Sequence, residues 1–360
     1  MGKPTTLRVF DANLIYLLGS LLFFTIGFTV QQRELYTGLV ITQLAVVLLP
    51  PFLYLEIRRM NVRHILRFNP INWRQGVFSA LITIFMYPAA VTANLVMLNM
   101  LGQLGNLDIP QIPAATTPFE FLRLVIIVSL LAGFCEEIFF RGLIMRGYER
   151  LGSRPAVIIS AVLFGIFHYN IYNLFGAVML GIVFGSLVMV TNSIYAGVIG
   201  HIINNGLAIT LGYIFTLLSD WLPPEEIEMA QAAVNESLRA SLLFFSVMAL
   251  AGMTVSYFLY KKLKGCQGDI SSTSNETVFD ESGTDLDHPV PGNTPAADQR
   301  NHESRGKKLE DSEGQTSTVD MNNQFSLQQE NTEWWEYFPL TGVIPLFVHV
   351  MILQITMIIG

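Results

Sequence analysis

Three short polar clusters interrupt a largely apolar chain: Glu136 and Glu137 with Arg141 in CEEIFFRG, His168 in FGIFH, and His201 with Asn205 in HIINN. Glu137 and Arg141 stand at i and i+4, the helical spacing at which opposite charges meet, so each makes the other tolerable in an apolar setting. Glu136 is turned about 100° from Glu137 by the helix period and keeps its carboxylate for another task. His201 and Asn205 share the same i, i+4 spacing, so one helix face presents an imidazole beside a carboxamide. A carboxylate, two imidazoles and an amide inside apolar helices are functional candidates by default, because ionisable groups there are costly unless they face the bundle interior and find partners. Taken singly, the same residues are a buried ion pair and interhelical hydrogen bonds. Taken as a chain of Glu and His, they also suit a proton or ion pathway.

The elements that must position these groups follow from composition. Of 360 residues, 51% are hydrophobic and 14% charged, and the mean hydropathy is +0.46, outside the range of soluble globular chains. The formal net charge of −7 misleads, because most acidic residues lie beyond about residue 265, and nothing points to nucleic acid. Apolar windows at 13–30, 36–55, 76–101, 119–146, 155–170, 172–190, 194–218, 240–260 and 338–359 approach or exceed the roughly 20 helical residues that cross a bilayer. The expected fold is therefore all-α, a polytopic transmembrane bundle of about eight helices. Its expected parts are N-terminal helices over 1–118, a core over 119–218, an acidic loop and eighth helix over 219–264, a disordered polar linker over 265–332, and a hydrophobic segment over 333–360.

The first window follows Lys3 and Arg8 without a small-residue cleavage site, so it is expected to stay as an anchor, with the mature chain beginning near Met1. Arg58, Arg59, Arg63, Arg67 and Arg74 mark one loop, Arg146, Arg150 and Arg154 a second, and Lys261, Lys262 and Lys264 a third. Eight crossings with the N-terminus inside put all three on the cytoplasmic side. On that count Glu136, His168 and His201 sit about 12 to 21 Å below the basic surface, at one shared level within the tolerance of helix tilt. With no eukaryotic retention signal in the sequence, the expected compartment is a bacterial cytoplasmic membrane. The last window carries Pro339 and Pro345 and reads as either a span or an interfacial segment. Cys135 and Cys266 fall at different depths and are expected to remain unpaired, one a small core residue and one a surface thiol.

EExxxR at Glu136, Glu137 and Arg141, FxxxH at Phe164 and His168, and HxxxN at His201 and Asn205 follow one another in this order. Each motif alone is short. The ordered trio in one helical membrane domain resembles the CAAX-processing and bacteriocin-processing (CPBP, or Abi) family of intramembrane proteases, over about residues 119–215. The resemblance implies an intramembrane endopeptidase similar to type II CAAX prenyl proteases, acting on a membrane-associated or lipidated peptide near the cytoplasmic face. Glu136 with His168 would activate water, His201 and Asn205 would stabilise the oxyanion, and Glu137 with Arg141 would hold the helix. The same Glu136, His168 and His201 have the composition of an open zinc shell. The reading favours a glutamate-activated water without cofactor, with zinc as the alternative. Two other classes stay open: a non-catalytic binding, immunity or scaffold protein, and an ion or proton transporter. The latter lacks the internal repeat many transporters use.

Overall fold

With no water in the hydrocarbon core to satisfy backbone groups, an apolar run of this length closes its hydrogen bonds within the segment, as helix. The computed structural model describes residues 6–107, 114–219, 221, 224–266 and 332–359, with the side chains of 224–237 left aside, and these residues are predominantly helical with no strand among them. Among the described residues, eight helices are long and apolar enough to cross a membrane: α1 (Val9–Arg33), α2 (Leu35–Ile57), α3 (Trp73–Leu101), α4 (Pro118–Leu151), α6 (Ile171–Thr191), α7 (Ile194–Ser219), α8 (span Leu238–Gly265) and α9 (Trp334–Ile359, regular from Leu340). The protein is a multi-pass integral membrane protein. Of the expected polar linker, 267–331 lie outside the described residues. Both cysteines are free.

The expected crossing at 155–170 is corrected. Helix α5 (Ser153–Phe167) has only 15 residues, about 22 Å at ~1.5 Å per residue, short of the ~30 Å hydrocarbon core. The eighth long helix is instead α9, the segment left open between span and interface. The chain after α5 consequently turns within the depth of the bundle, where backbone groups off a helix must find protein partners. They do. Tyr169 takes a left-handed φ of 47°, and Gln354 of α9 brackets the turn, its Nε2 donating to Tyr169 O at 2.9 Å and its Oε1 accepting from Ile171 N at 2.8 Å. From α3, Asn94 donates to Asn173 Oδ1 at 2.6 Å and accepts from Gly176 N at 2.6 Å.

Helix α4 occupies the centre. Ile138, Phe139, Phe140, Leu143, Ile144, Met145 and Tyr148 are all fully buried, and a helix apolar on every side is one surrounded by others. Its hydrogen bonding widens to i→i+5 over Val125–Leu131 and again over Ile138–Ile144, so Ala132–Glu137 is a short α-helical stretch between two looser ones. Such π-turns recur at functional sites.

The basic loops share one end. Arg67 grips Glu149 with both terminal nitrogens, at 2.5 and 2.7 Å, and donates from Nε to Asn192 Oδ1 at 2.9 Å. Arg146 adds a second contact to Glu149 at 2.7 Å. These bonds tie the α2–α3, α4–α5 and α6–α7 connections together. Helix α9 begins at that end against α1, where Trp335 packs on Phe10 at 5.5 Å and Asn13 Nδ2 donates to Glu336 O at 2.9 Å. It ends among Met97, Leu101, Ile171 and Tyr172, which it meets through Met351 and Ile358.

Candidate active site

Glu137 and Arg141 form the pair that their spacing implies, Arg141 Nη1 donating to Glu137 Oε1 at 2.8 Å with both side chains fully buried. The pair would be costly alone, since desolvating two charges offsets much of their attraction unless further bonds complete the geometry. Arg141 Nη2 donates to Gly181 O of α6 at 3.2 Å, and its guanidinium lies 4.5 Å from the Phe164 ring centre and 5.4 Å from that of Phe184. Glu137 Oε1 also accepts from His201 Nδ1 of α7 at 2.8 Å. One carboxylate oxygen thus binds the central helix to α7.

Glu136 points elsewhere, as the helix rotation requires. Its side chain keeps 16% exposure against none for Glu137. Its Oε1 accepts from Gln43 Nε2 of α2 at 2.7 Å, and its Oε2 lies 3.8 Å from His201 Nε2. Two adjacent carboxylates therefore have different environments, one locked by an ion pair and a hydrogen bond and one partly open.

His201 is held in orientation on every side. Its ring stacks on Phe184 at 5.0 Å and 21°, and Phe164 meets it edge-on at 5.8 Å. With Nδ1–H committed to Glu137, Nε2 faces Glu136 and donates only when the ring carries a proton on both nitrogens. Close approach of α7 to α4 depends on small residues. A Cβ at Gly197 would stand 2.7 Å from Glu137 Oε2, and one at Gly133 would stand 3.0 Å from Ile202 Cγ1.

His168, at the end of α5, joins through Phe164 rather than by a hydrogen bond to the carboxylates. The Phe164 ring meets His168 edge-on at 4.8 Å and also contacts His201. Its Nδ1 is 2.8 Å from Phe164 O, and a carbonyl only accepts, so Nδ1 carries the hydrogen and Nε2 presents its lone pair. The FxxxH spacing thus sets a tautomer through the i−4 carbonyl. Asn205, one turn beyond His201, donates from Nδ2 to Val128 O of α4 at 2.8 Å, and its Oδ1 accepts from Asn204 Nδ2 at 3.0 Å. One Nδ2 hydrogen of Asn205 remains for another acceptor.

The structure thus joins Glu136, Glu137, Arg141 and His201 in one polar chain, brings His168 to it through a shared aromatic contact, and ties Asn205 to the same two helices. Gln43, Asn204, Gly181 and Phe184 were not foreseen. Gln43 carried a readable signal, an amide inside an apolar window, whereas Phe184 is indistinguishable by type from its neighbours. The fit of a metal can be judged from the donors. Both histidines have Nδ1 engaged, as metal-bound imidazoles do, but among the described residues no three His, Cys, Asp or Glu side chains are grouped to hold a metal ion.

No curated protein and no solved structure gives a significant match to this chain. Residues 118–207 match a family model described as Rce1-like, type II CAAX prenyl endopeptidase. The match opens with the first turn of α4 and closes two residues after Asn205, so it contains all six residues singled out by their spacing and leaves Gln43 and Gln354 outside. Over residues 118–207, the chain is similar to the Rce1-like type II CAAX prenyl endopeptidases.

Proposed function

We propose that this protein is an intramembrane endopeptidase that cleaves a membrane-associated or lipidated peptide by a water activated at Glu136. The observation that carries the reading is the division of labour between adjacent carboxylates, Glu137 fully buried and held through Oε1 by Arg141 and His201, and Glu136 left with 16% exposure. A buried ion pair that served packing alone has no need of the second, open acid beside it. The match at 118–207 supports the reaction class.

In the reaction, Glu136 takes one proton from water as the oxygen attacks the scissile carbonyl. The C–O bond forms and the carbonyl electron pair moves to oxygen. The free Nδ2 hydrogen of Asn205 and, when doubly protonated, Nε2–H of His201 donate to that oxyanion, a contribution of roughly 100- to 1000-fold in rate for one donor. The C–N bond then breaks as the proton that Glu136 took from water reaches the leaving amine, relayed by His168 Nε2, which the Phe164 carbonyl keeps bare and so able to take a proton up before giving it away. Glu137 acts through His201 and Arg141 and does not meet substrate. The basic end faces the cytoplasm under the positive-inside rule, in what we take to be a bacterial cytoplasmic membrane.

The test is cleavage of a panel of lipidated and membrane-anchored peptides by purified protein, with Glu136→Ala alongside and each with and without a strong chelator. Cleavage lost in Glu136→Ala and indifferent to chelation is the expected result. Loss on chelation that added zinc restores would replace water activation by Glu136 alone with a zinc-centred mechanism. A function that survives Glu136→Ala would leave a binding or scaffold protein.

A further inference from the structure

Gln43 lies on α2, in the widened turn Thr42–Leu48 and outside the family match. It is 8% exposed, and its Nε2 donates to Glu136 Oε1 at 2.7 Å. That orientation is imposed by chemistry, because an ionised carboxylate only accepts and the opposite amide flip would set oxygen against oxygen. The consequence falls on the other half of the amide. Gln43 Oε1 is buried with no hydrogen-bond partner, a state that costs about 1–3 kcal/mol for an ordinary polar group. Nearby Thr42 offers no relief, since its hydroxyl donates to Gly38 O and accepts from Gln31 Nε2. An orphaned acceptor is thus carried on the same planar amide that touches the open carboxylate.

We propose that Gln43 is a further catalytic residue, its Oε1 accepting one hydrogen of the attacking water while Glu136 accepts the other; this rests on the proteolytic reading above. A water whose two hydrogens are both accepted has its lone pairs directed away from both acceptors and toward the carbonyl carbon. On attack, the O–H bond facing Glu136 breaks and its proton passes to the carboxylate. The O–H bond facing Gln43 survives into the tetrahedral intermediate. No other reactant is needed. The carboxylate alone would leave the water free to rotate about one hydrogen bond, so the amide supplies orientation, a major source of rate when a reactant is held near its attack geometry. Gln43 Nε2 meanwhile prevents Glu136 from turning its Oε1 away.

The test compares wild type with Gln43→Met, which keeps length and volume without donor or acceptor, and with Glu136→Gln. The expected result is a fall in kcat of roughly 10-fold or more for Gln43→Met with KM unchanged, the pattern of an interaction made in the transition state. The same variant should unfold close to the wild-type temperature, because removal of the orphaned acceptor offsets the lost Nε2 hydrogen bond to Glu136. Bound by the inactive Glu136→Gln background, the peptide should show the same affinity with Gln or Met at position 43. Wild-type kcat in Gln43→Met, with Glu136→Gln inactive, overturns the role of Gln43 and leaves proteolysis standing. A fall in activity that tracks a lower unfolding temperature or a raised KM also overturns it. Cleavage by Glu136→Gln at the wild-type rate, or no cleavage by wild type across the peptide panel, overturns the proteolytic reading and Gln43's role with it.

Discussion

Glu137 Oε1 lies 2.8 Å from His201 Nδ1, and the same oxygen accepts from Arg141 Nη1 at 2.8 Å. A single buried carboxylate therefore fixes both a cation on its own helix and an imidazole 64 residues away. Neighbouring Glu136, with its partial exposure, is exempt from that duty.

This difference separates two isosteric substitutions. Glu137→Gln leaves Arg141 as an uncompensated buried charge and should destabilise by about 3–5 kcal/mol. Glu136→Gln should change stability by no more than about 0.5 kcal/mol while abolishing cleavage. Thermal unfolding in detergent, run beside the cleavage assay, distinguishes them. Equal stability of the two variants would contradict the assignment of roles.

Helix α7 can approach the ion pair only because position 197 has no side chain. A Cβ there would stand 2.7 Å from Glu137 Oε2 and 2.7 Å from Val188 Cγ2, and neither neighbour is free to move. Gly197→Ala should cost about 1–3 kcal/mol by overpacking. Gly212→Ala on the same helix, with nothing within 4 Å of the added carbon, should leave the unfolding temperature unchanged or raised.

Gln354 satisfies two backbone groups of the turn that follows His168. Its replacement by Ala leaves the Tyr169 carbonyl and the Ile171 amide without those partners, at a cost of about 1–3 kcal/mol. Hydrogen exchange at Ile171 should quicken in Gln354→Ala beyond the change at amides in mid-α6. Unaltered protection at Ile171 would show that α9 does not brace the turn.

Glu34, between α1 and α2, caps α2, and its carboxyl is held below the ordinary range by hydrogen bonds from Thr37, side chain first and then backbone, and from the Tyr36 backbone. A depressed folded-state value means that the cap is fully present above the unfolded value, about 4.3. It is lost as the pH falls through the depressed one. Exchange at Tyr36 and Thr37, corrected for intrinsic rates, should therefore rise only on acidification below that range. Glu34→Gln should weaken this pH dependence.

Local periodicity made much of the molecule legible before any coordinates. Apolar windows fell where long helices stand, because backbone satisfaction in hydrocarbon leaves few other structures. The Glu137–Arg141 pair and the divergence of Glu136 followed from the helix repeat alone. What tertiary structure decided is which faces meet. Gln43, Gly181 and Phe184 act on residues 93, 40 and 17 positions away, and no periodicity encodes such distances. Hydropathy likewise assigned 155–170 a crossing and left 338–359 open, since it registers apolar length without depth. Only the packed bundle places the end of short α5 inside the protein, where Gln354 of α9 supplies the hydrogen bonds that a water-facing turn would have taken from solvent.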